Sequence, residues 1–529
     1  MTYNAAAWLV DRHVAAGEGG RVAMVCGEER LTYAGLQEQV WRAQNALAVL
    51  GVRRTERVAL VMDDEPALVA WFLGALRSGV VPVPLSTMLR ADDLASVIDD
   101  AVADVVVVSA RHRPLAAAAP VRATVVVDGD DWSGDSDGRD GRDGRHFDGR
   151  HFEGRPFDDR VEAPVAPTSA DSPGFWLYSS GTTGVPKGVM HRHGSLEATA
   201  STFARVVLGI GPGDRCLSVA KLFFAYGLGN SLTFPLSAGG SAVLCPVPPT
   251  VAVITELVRR ERPTVFCASP GFVASILDAD VPPETFASVR LATSAGEVLP
   301  AELHRRFTSR FGVPLLDGIG TTEALHIFVS NRIGSEQGGT SGTVVDGYDV
   351  ELRSDADEVV TEPGVPGFLH VRGPSLASGY WSRHAATQAA FRGEWLKTGD
   401  VYTRDADGVF TFLGRNSDMI KAGGIWVSPA EVEAVIIEHE DVLECAVVGV
   451  RDGRGLETVV AAVVARSGRV IDADALDVHC RARMAAFKRP RGYVTVDALP
   501  RTATGKVRRF ALRDALTQEG TTWTSRTAG

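Results

Sequence analysis

The chain has 529 residues, 45% of them hydrophobic and 22% charged, which suits more than one soluble folding unit and a large buried core. Its 54 Lys and Arg stand against 65 Asp and Glu, a net charge of −11, so neither nucleic acid nor an anionic membrane is expected as a partner. An anionic substrate must therefore be caught by local donors rather than by the overall field.

Residues Met1 to Val10 show no basic stretch leading into an apolar one, and the apolar run near Leu68–Ala75 is broken by Arg77 and too short to span a bilayer. A cytoplasmic location is the expectation. The six cysteines are scattered, with no Cys-x-x-Cys and no Cys/His metal spacing, as suits reduced packing residues.

In chain order, Arg57–Met62 reads as a strand, Glu65–Arg77 as a helix and Val80–Leu85 as a strand. Asp104–Ser109 and Ala123–Asp128 are unbroken apolar β runs, the pattern of strands covered on both faces. This alternation predicts an α/β fold. Over residues 129–160 the composition turns to Gly-Arg and acidic units of low complexity, too polar to bury a core, and a solvated insertion loop is expected. Alternation resumes at Pro173. After Arg415 the segments Val427–Glu438, Leu443–Val450, Thr458–Val464 and Ala473–Ala486 read helix, strand, strand, helix. The expected organisation is a large N-terminal α/β domain (1–414), a hinge (415–417) and a small, mobile α+β C-terminal domain (418–529).

The sharpest local signal is the run from Tyr178 to Gly188. Gly181, Gly184 and Gly188 allow close backbone approach to an anion; Ser179, Ser180, Thr182 and Thr183 add hydroxyl donors, and Lys187 adds charge. The run is a phosphate cradle by composition, and Pro186 before Lys187 distinguishes it from a Walker A loop.

This loop resembles the phosphate-binding signature of the acyl-adenylate-forming superfamily. Four further segments resemble that family's motifs in the family's order: Gly318 to Glu323, Trp395 to Asp400, Leu413 to Lys421, and Pro500 to Lys506. The resemblance spans essentially the whole chain. It implies a two-step reaction in which a carboxylate attacks the α-phosphate of MgATP and a thiol then displaces AMP. It implies that the loop, from Ser179 to Lys187, holds the β- and γ-phosphates. Thr322 is implied to donate to the α-phosphate and Glu323 to hold Mg²⁺. Asp317 and Gly318 would flank the nucleotide, while Asp400 and Arg415 would contact its ribose. Lys506 is the implied catalytic lysine. Two positions depart from the common pattern: Ile319 replaces the usual aromatic, and Ser417 replaces the usual charged hinge residue.

Lys221 to Asn230, Thr293 to Glu297, and Asp317 to Gly320 followed by Leu325 to Phe328, resemble the corresponding segments of benzoate–CoA ligases. That resemblance implies an acid pocket from Phe224, Ala225, Tyr226, Gly320, His326 and Ile327. The aromatic faces would receive a ring, and His326 would donate a hydrogen bond. Gly423 and Gly424 resemble the loop beside the pantetheine channel, so coenzyme A is the implied acceptor. No carrier domain is expected after Lys506; an aryl-acid adenylating enzyme that loads a separate carrier protein is the alternative. The expected ligands are an aromatic acid, ATP, Mg²⁺ and coenzyme A, with a homodimer left open.

Overall fold

The computed structural model describes residues 2–119, 123–128, 162–180, 186–416, 418–422, 425–451, 457–501 and 507–518. The expected insertion at 129–160 lies outside them. The chain divides into two compact units. One comprises Met1–Pro249, Thr322–His326 and Pro374–Thr387; the other comprises Thr250–Thr321, Ile327–Gly373 and Gln388–Gly529.

In the first unit a four-stranded sheet runs in the order Val81–Pro84, Arg57–Val61, Ala103–Ser109, Thr124–Asp128, all parallel. Valine-rich strands suit such a sheet because each face is covered. Val106 and Val108 look into one core, with Leu94, Ile98 and Trp176; Val105 and Val107 look into another, with Phe72, Leu73 and Phe175. A further set in this unit runs Arg215–Ser218, Ser241–Val243, Val22–Cys26, Glu29–Thr32. Thr32 caps the long helix Tyr33–Val49 by accepting from Gly35 N. An antiparallel hairpin, Pro173–Ser180 with Pro186–Arg192, pairs Ser179 with Lys187.

In the second unit Val265–Ala268, Leu291–Ser294 and Leu315–Gly320 pair in parallel, and Ile327–Ser330 and Thr343–Val344 extend them antiparallel. An antiparallel sheet follows, in which Trp395–Arg404 pairs with Gly367–Arg372 on one side and Phe410–Arg415 on the other. The C-terminal residues build two cores of their own, one around Val432, Ile436, Val447 and Leu476, the other around Val448, Val460, Leu512 and Leu516. Their sheet is Val442–Arg451, Glu457–Ala465 and Gly492–Thr495, with helices Pro429–Ile436, Ala473–Arg483 and Arg509–Gln518. The strand Gly492–Thr495 and the last helix are additions to the sequence reading. Among the described residues no helix is long and apolar enough to cross a membrane, and none of the six cysteines forms a disulfide.

Candidate active site

Each unit carries part of the expected site. In the first, the hairpin delivers Ser179 and Ser180 at the end of one strand and Lys187 at the start of the next. The loop between them, with Gly181, Thr182, Thr183 and Gly184, lies outside the described residues. Tyr178, at the loop's entrance, donates from its hydroxyl to Asp100 Oδ2 at 2.8 Å, and Arg383 holds the other oxygen of Asp100 at 2.6 Å.

A segment that the sequence reading passed over, within Pro374–Thr387, lies along the Pro186–Arg192 strand. Met190 N donates to Gly379 O at 3.0 Å, Ser378 N to Met190 O at 2.8 Å, and Trp381 N to Gly188 O at 2.8 Å. The same segment grips the turn that carries Thr322 and Glu323. Ala377 N donates to Glu323 O at 2.8 Å, and Ser375 Oγ donates to Ala324 O at 2.6 Å. His191, stacked on Phe175, reaches the Thr322 carbonyl through Nε2 at 2.8 Å. Burial pushes His191 down to about 4, so the neutral ring serves as a fixed donor there. The Tyr380 hydroxyl donates to Glu323 Oε1 at 2.8 Å, and Lys187 Nζ stands 5.1 Å from the centre of the Tyr380 ring. Short polar segments with no periodicity gave no signal for this strap; only Gly-Tyr-Trp at 379–381 could have drawn attention to it.

The segment expected to line the acid pocket starts from a buried carboxylate. Leu222 N lies 3.2 Å from both oxygens of Asp64. Burial raises Asp64 to about 7, against the lowering influence of Lys221. Phe224, Ala225 and Tyr226 follow, all half-buried. The helix Ala225–Leu228 then widens over Gly229–Thr233 before resuming as Phe234–Ala238. Such widened turns recur at functional sites.

His326 sits against this turn, 3% exposed. Its ring centroid is 4.5 Å from Phe234, 5.2 Å from Phe203 and 5.4 Å from Tyr226. Gly229 must lack a side chain: a Cβ there would stand 2.4 Å from His326 Cδ2. Neither ring nitrogen of His326 completes a hydrogen bond. Burial drives its pKa down to about 3, and the nearby Tyr226 backbone only partly opposes this, so the ring is neutral.

In the second unit Asp317 lies midway along the strand Leu315–Gly320, 5% exposed, with Oδ1 unpartnered. Burial raises its pKa well above the usual carboxylate range. Asn331, just past the adjacent strand Ile327–Ser330, anchors it by donating to its carbonyl, 2.9 Å through N and 3.3 Å through Nδ2. Gly318 leaves no room for a side chain, since a Cβ would stand 2.7 Å from Val329 O. Gly320 pairs with Ile327 after a register shift at Ile319. Asp400 and Arg415 are directly paired across two strands and share an ion pair at 2.7 Å, with Asp400 buried and Arg415 partly exposed. Arg501, in the last motif, reaches Glu297 at 3.1 Å and also Glu444. Ser417, Gly423, Gly424 and Lys506 lie outside the described residues.

Of the expected nucleotide site, one unit thus holds the strand ends at Ser179 and Lys187 and the anchored Glu323, and the other holds the Asp400–Arg415 ion pair. The chain matches the family described as AMP-binding enzyme over residues 11–381, and that described as AMP-binding enzyme C-terminal domain over residues 431–506. It belongs to the AMP-binding enzyme family, with that family's large N-terminal α/β domain and small C-terminal domain. It is 42% identical to a benzoate–CoA ligase of Thauera aromatica, over 97% of this chain and 96% of the relative. It is 39% identical to a 4-hydroxybenzoate–CoA/benzoate–CoA ligase of Rhodopseudomonas palustris, over 97% and 94%. The solved structure of a benzoate CoA ligase from Burkholderia xenovorans LB400 superposes with a TM-score of 0.85 at 39% identity, covering 97% of this chain and 100% of that one.

Proposed function

We propose that this protein joins a benzoate-like aromatic carboxylic acid to coenzyme A through an acyl-adenylate. What carries the reading is the likeness to benzoate ligases along nearly the full length of the chain. The His326 socket, three aromatic rings around a neutral imidazole, suits a flat ring. In the first step a carboxylate oxygen of the acid forms a bond to the α-phosphorus, and the bond to the bridging oxygen breaks, releasing pyrophosphate. In the second, the coenzyme A sulfur bonds to the acyl carbon, the thiol proton leaves to solvent, and AMP departs. Both steps gather negative charge, so catalysis here is chiefly positioning and electrostatics.

The roles follow the donors. Ser179, Ser180 and Lys187, with Gly181, Thr182, Thr183 and Gly184, cradle the β- and γ-phosphates. Thr322 donates to the α-phosphate. Asp317 and Gly318 border the adenine, and Asp400, oriented by Arg415, receives the ribose. Lys506 stabilises the charge at the α-phosphate as the adenylate forms. Phe224, Ala225, Tyr226, Gly320 and Ile327 line the acid's place, with His326 as a neutral donor. Gly423 and Gly424 admit the pantetheine arm, and Ser417 lies in the hinge at 415–417 between domains 1–414 and 418–529.

Magnesium fits the residues present. Glu323 offers a hard carboxylate oxygen, and among the described residues no cluster of three or more His, Cys, Asp or Glu forms a cage. A cation carried in on ATP phosphates and completed by one protein carboxylate matches magnesium's preference. When bound it neutralises phosphate charge. A cytoplasmic location and a homodimer belong to the same reading.

The test is pyrophosphate release over a panel of substituted benzoates, with and without free coenzyme A, alongside detection of the thioester. Benzoate-dependent release and a thioester with free coenzyme A are expected. Adenylate without thioester would point instead to a separate carrier protein.

A further inference from the structure

Glu323 is reached by more than its backbone anchors. Its carboxylate is aimed by a residue outside the turn it belongs to, and that residue also touches the phosphate loop. Tyr380 donates to Glu323 Oε1 at 2.8 Å, while its ring lies under Lys187 Nζ at 5.1 Å. Tyr380 itself is held. Its N donates to Thr387 Oγ1 at 3.0 Å, it is 9% exposed, and Gly379 and Trp381 on either side are hydrogen-bonded to Met190 and Gly188. Gly379 takes φ +134°, and a Cβ there would stand 2.7 Å from Thr387 Cγ2, so the approach of the strap depends on glycine.

The geometry points to Tyr380 as a positioning residue that fixes the Glu323 carboxylate for magnesium and couples it to Lys187 of the phosphate loop. The inference rests on the proposed roles of Glu323 and Lys187 and adds the element that joins them. A glutamate side chain is rotamer-rich, and ordering it on metal binding costs conformational entropy. A hydrogen bond to one oxygen fixes the plane of the carboxylate and would leave the other oxygen for a metal, so much of that cost is met on folding. The aromatic ring gives Lys187 a face that attracts the cation without neutralising it. Lysine and carboxylate are thus held apart by a ring rather than joined in an ion pair. Each is left for phosphate and metal.

The experiment measures Mn²⁺ binding by electron paramagnetic resonance, with the enzyme saturated by a non-hydrolysable ATP analogue. It also measures the magnesium dependence of benzoate-driven pyrophosphate release. Tyr380→Phe is expected to weaken Mn²⁺ binding about tenfold. The half-saturating magnesium should rise equally, while the KM for benzoate and the melting temperature stay put. Excess magnesium should restore the rate. Tyr380→Leu, which also removes the ring, should in addition raise the KM for ATP. Glu323→Gln separates the levels. If it leaves Mn²⁺ affinity unchanged, the magnesium role of Glu323 is wrong. If it weakens Mn²⁺ binding while Tyr380→Phe does not, the role of Tyr380 is overturned. A Tyr380→Phe variant whose melting temperature falls while its metal affinity holds shows a merely structural tyrosine and overturns it equally.

Discussion

Glu323 and His326 lie three residues apart and are held in opposite ways. Around Glu323 the polar groups are claimed: the Thr322 carbonyl by His191, the Glu323 carbonyl by Ala377, the Ala324 carbonyl by Ser375, one carboxylate oxygen by Tyr380. Around His326 the contacts are ring against ring, and both imidazole nitrogens lack partners. A buried polar atom left unpaired costs about 1–3 kcal/mol. The first arrangement suits a charge that must be in place before ATP arrives. The second suits a pocket whose hydrogen bond is completed by the ligand. On the proposed assignments, charge chemistry is anchored through polar bonds and ring recognition through shape.

The comparison can be broken by removing the charge alone. Glu323→Gln should lower the rate of adenylate formation by about a hundredfold or more, as when a group that stabilises developing charge is lost. The KM for benzoate should not change. Stopped-flow pyrophosphate release measures the first and steady-state kinetics the second; an equal rise in benzoate KM would merge the two regions.

Next in size is the socket. Gly229→Ala places a methyl against the His326 ring. Overpacking of this kind costs about 2 kcal/mol, or about thirtyfold in kcat/KM for benzoate. The KM for ATP should hold, and the melting temperature checks that the fold survives. His326→Leu, similar in size but without nitrogens, should cost about tenfold in the same ratio, the loss of one hydrogen bond in a dry site.

The smallest effect concerns pH. His326 is pushed down to about 3, and His191 and His193 to about 4. An unfolded histidine takes a proton below about 6.5. Between about 6.5 and 4 the unfolded chain therefore binds protons that the folded chain refuses, and stability falls as pH falls. It is fully present above that window. Asp64 and Asp317, raised by burial, take up protons in the folded chain and work the other way. The histidine contribution is therefore read as the difference in melting temperature between the protein and His326→Leu, which should shift in the variant's favour as pH falls from 8 to 4.5, while the KM for benzoate shows no inflection at the ordinary histidine pKa. An inflection there would mean that His326 titrates in the folded protein.

Much of this was readable in advance, for identifiable reasons. The strands Arg57–Val61 and Ala103–Ser109 fell within a residue of their expected ends because unbroken valine runs demand a sheet covered on both faces. The turn at Gly318–Glu323 was visible as a motif, since a fixed chemical task dictates a dense local pattern. The strap within Pro374–Thr387 was not. Its residues pair through backbone atoms with a strand almost two hundred positions earlier, and backbone pairing leaves little trace in side-chain type. The same holds for Asp64, whose role rests on a partner 158 residues away.

The lack of disulfides has a consequence for a protein whose proposed substrate is itself a thiol. Burial drives Cys26 up to about 11 and Cys267 to about 12, and raises Cys245, Cys445 and Cys480. Disulfide exchange runs through the thiolate. With these five sulfurs kept protonated at neutral pH, they are poor attackers of an oxidised coenzyme A. Handling a reactive thiol all day, the protein keeps its own sulfur chemistry silent there.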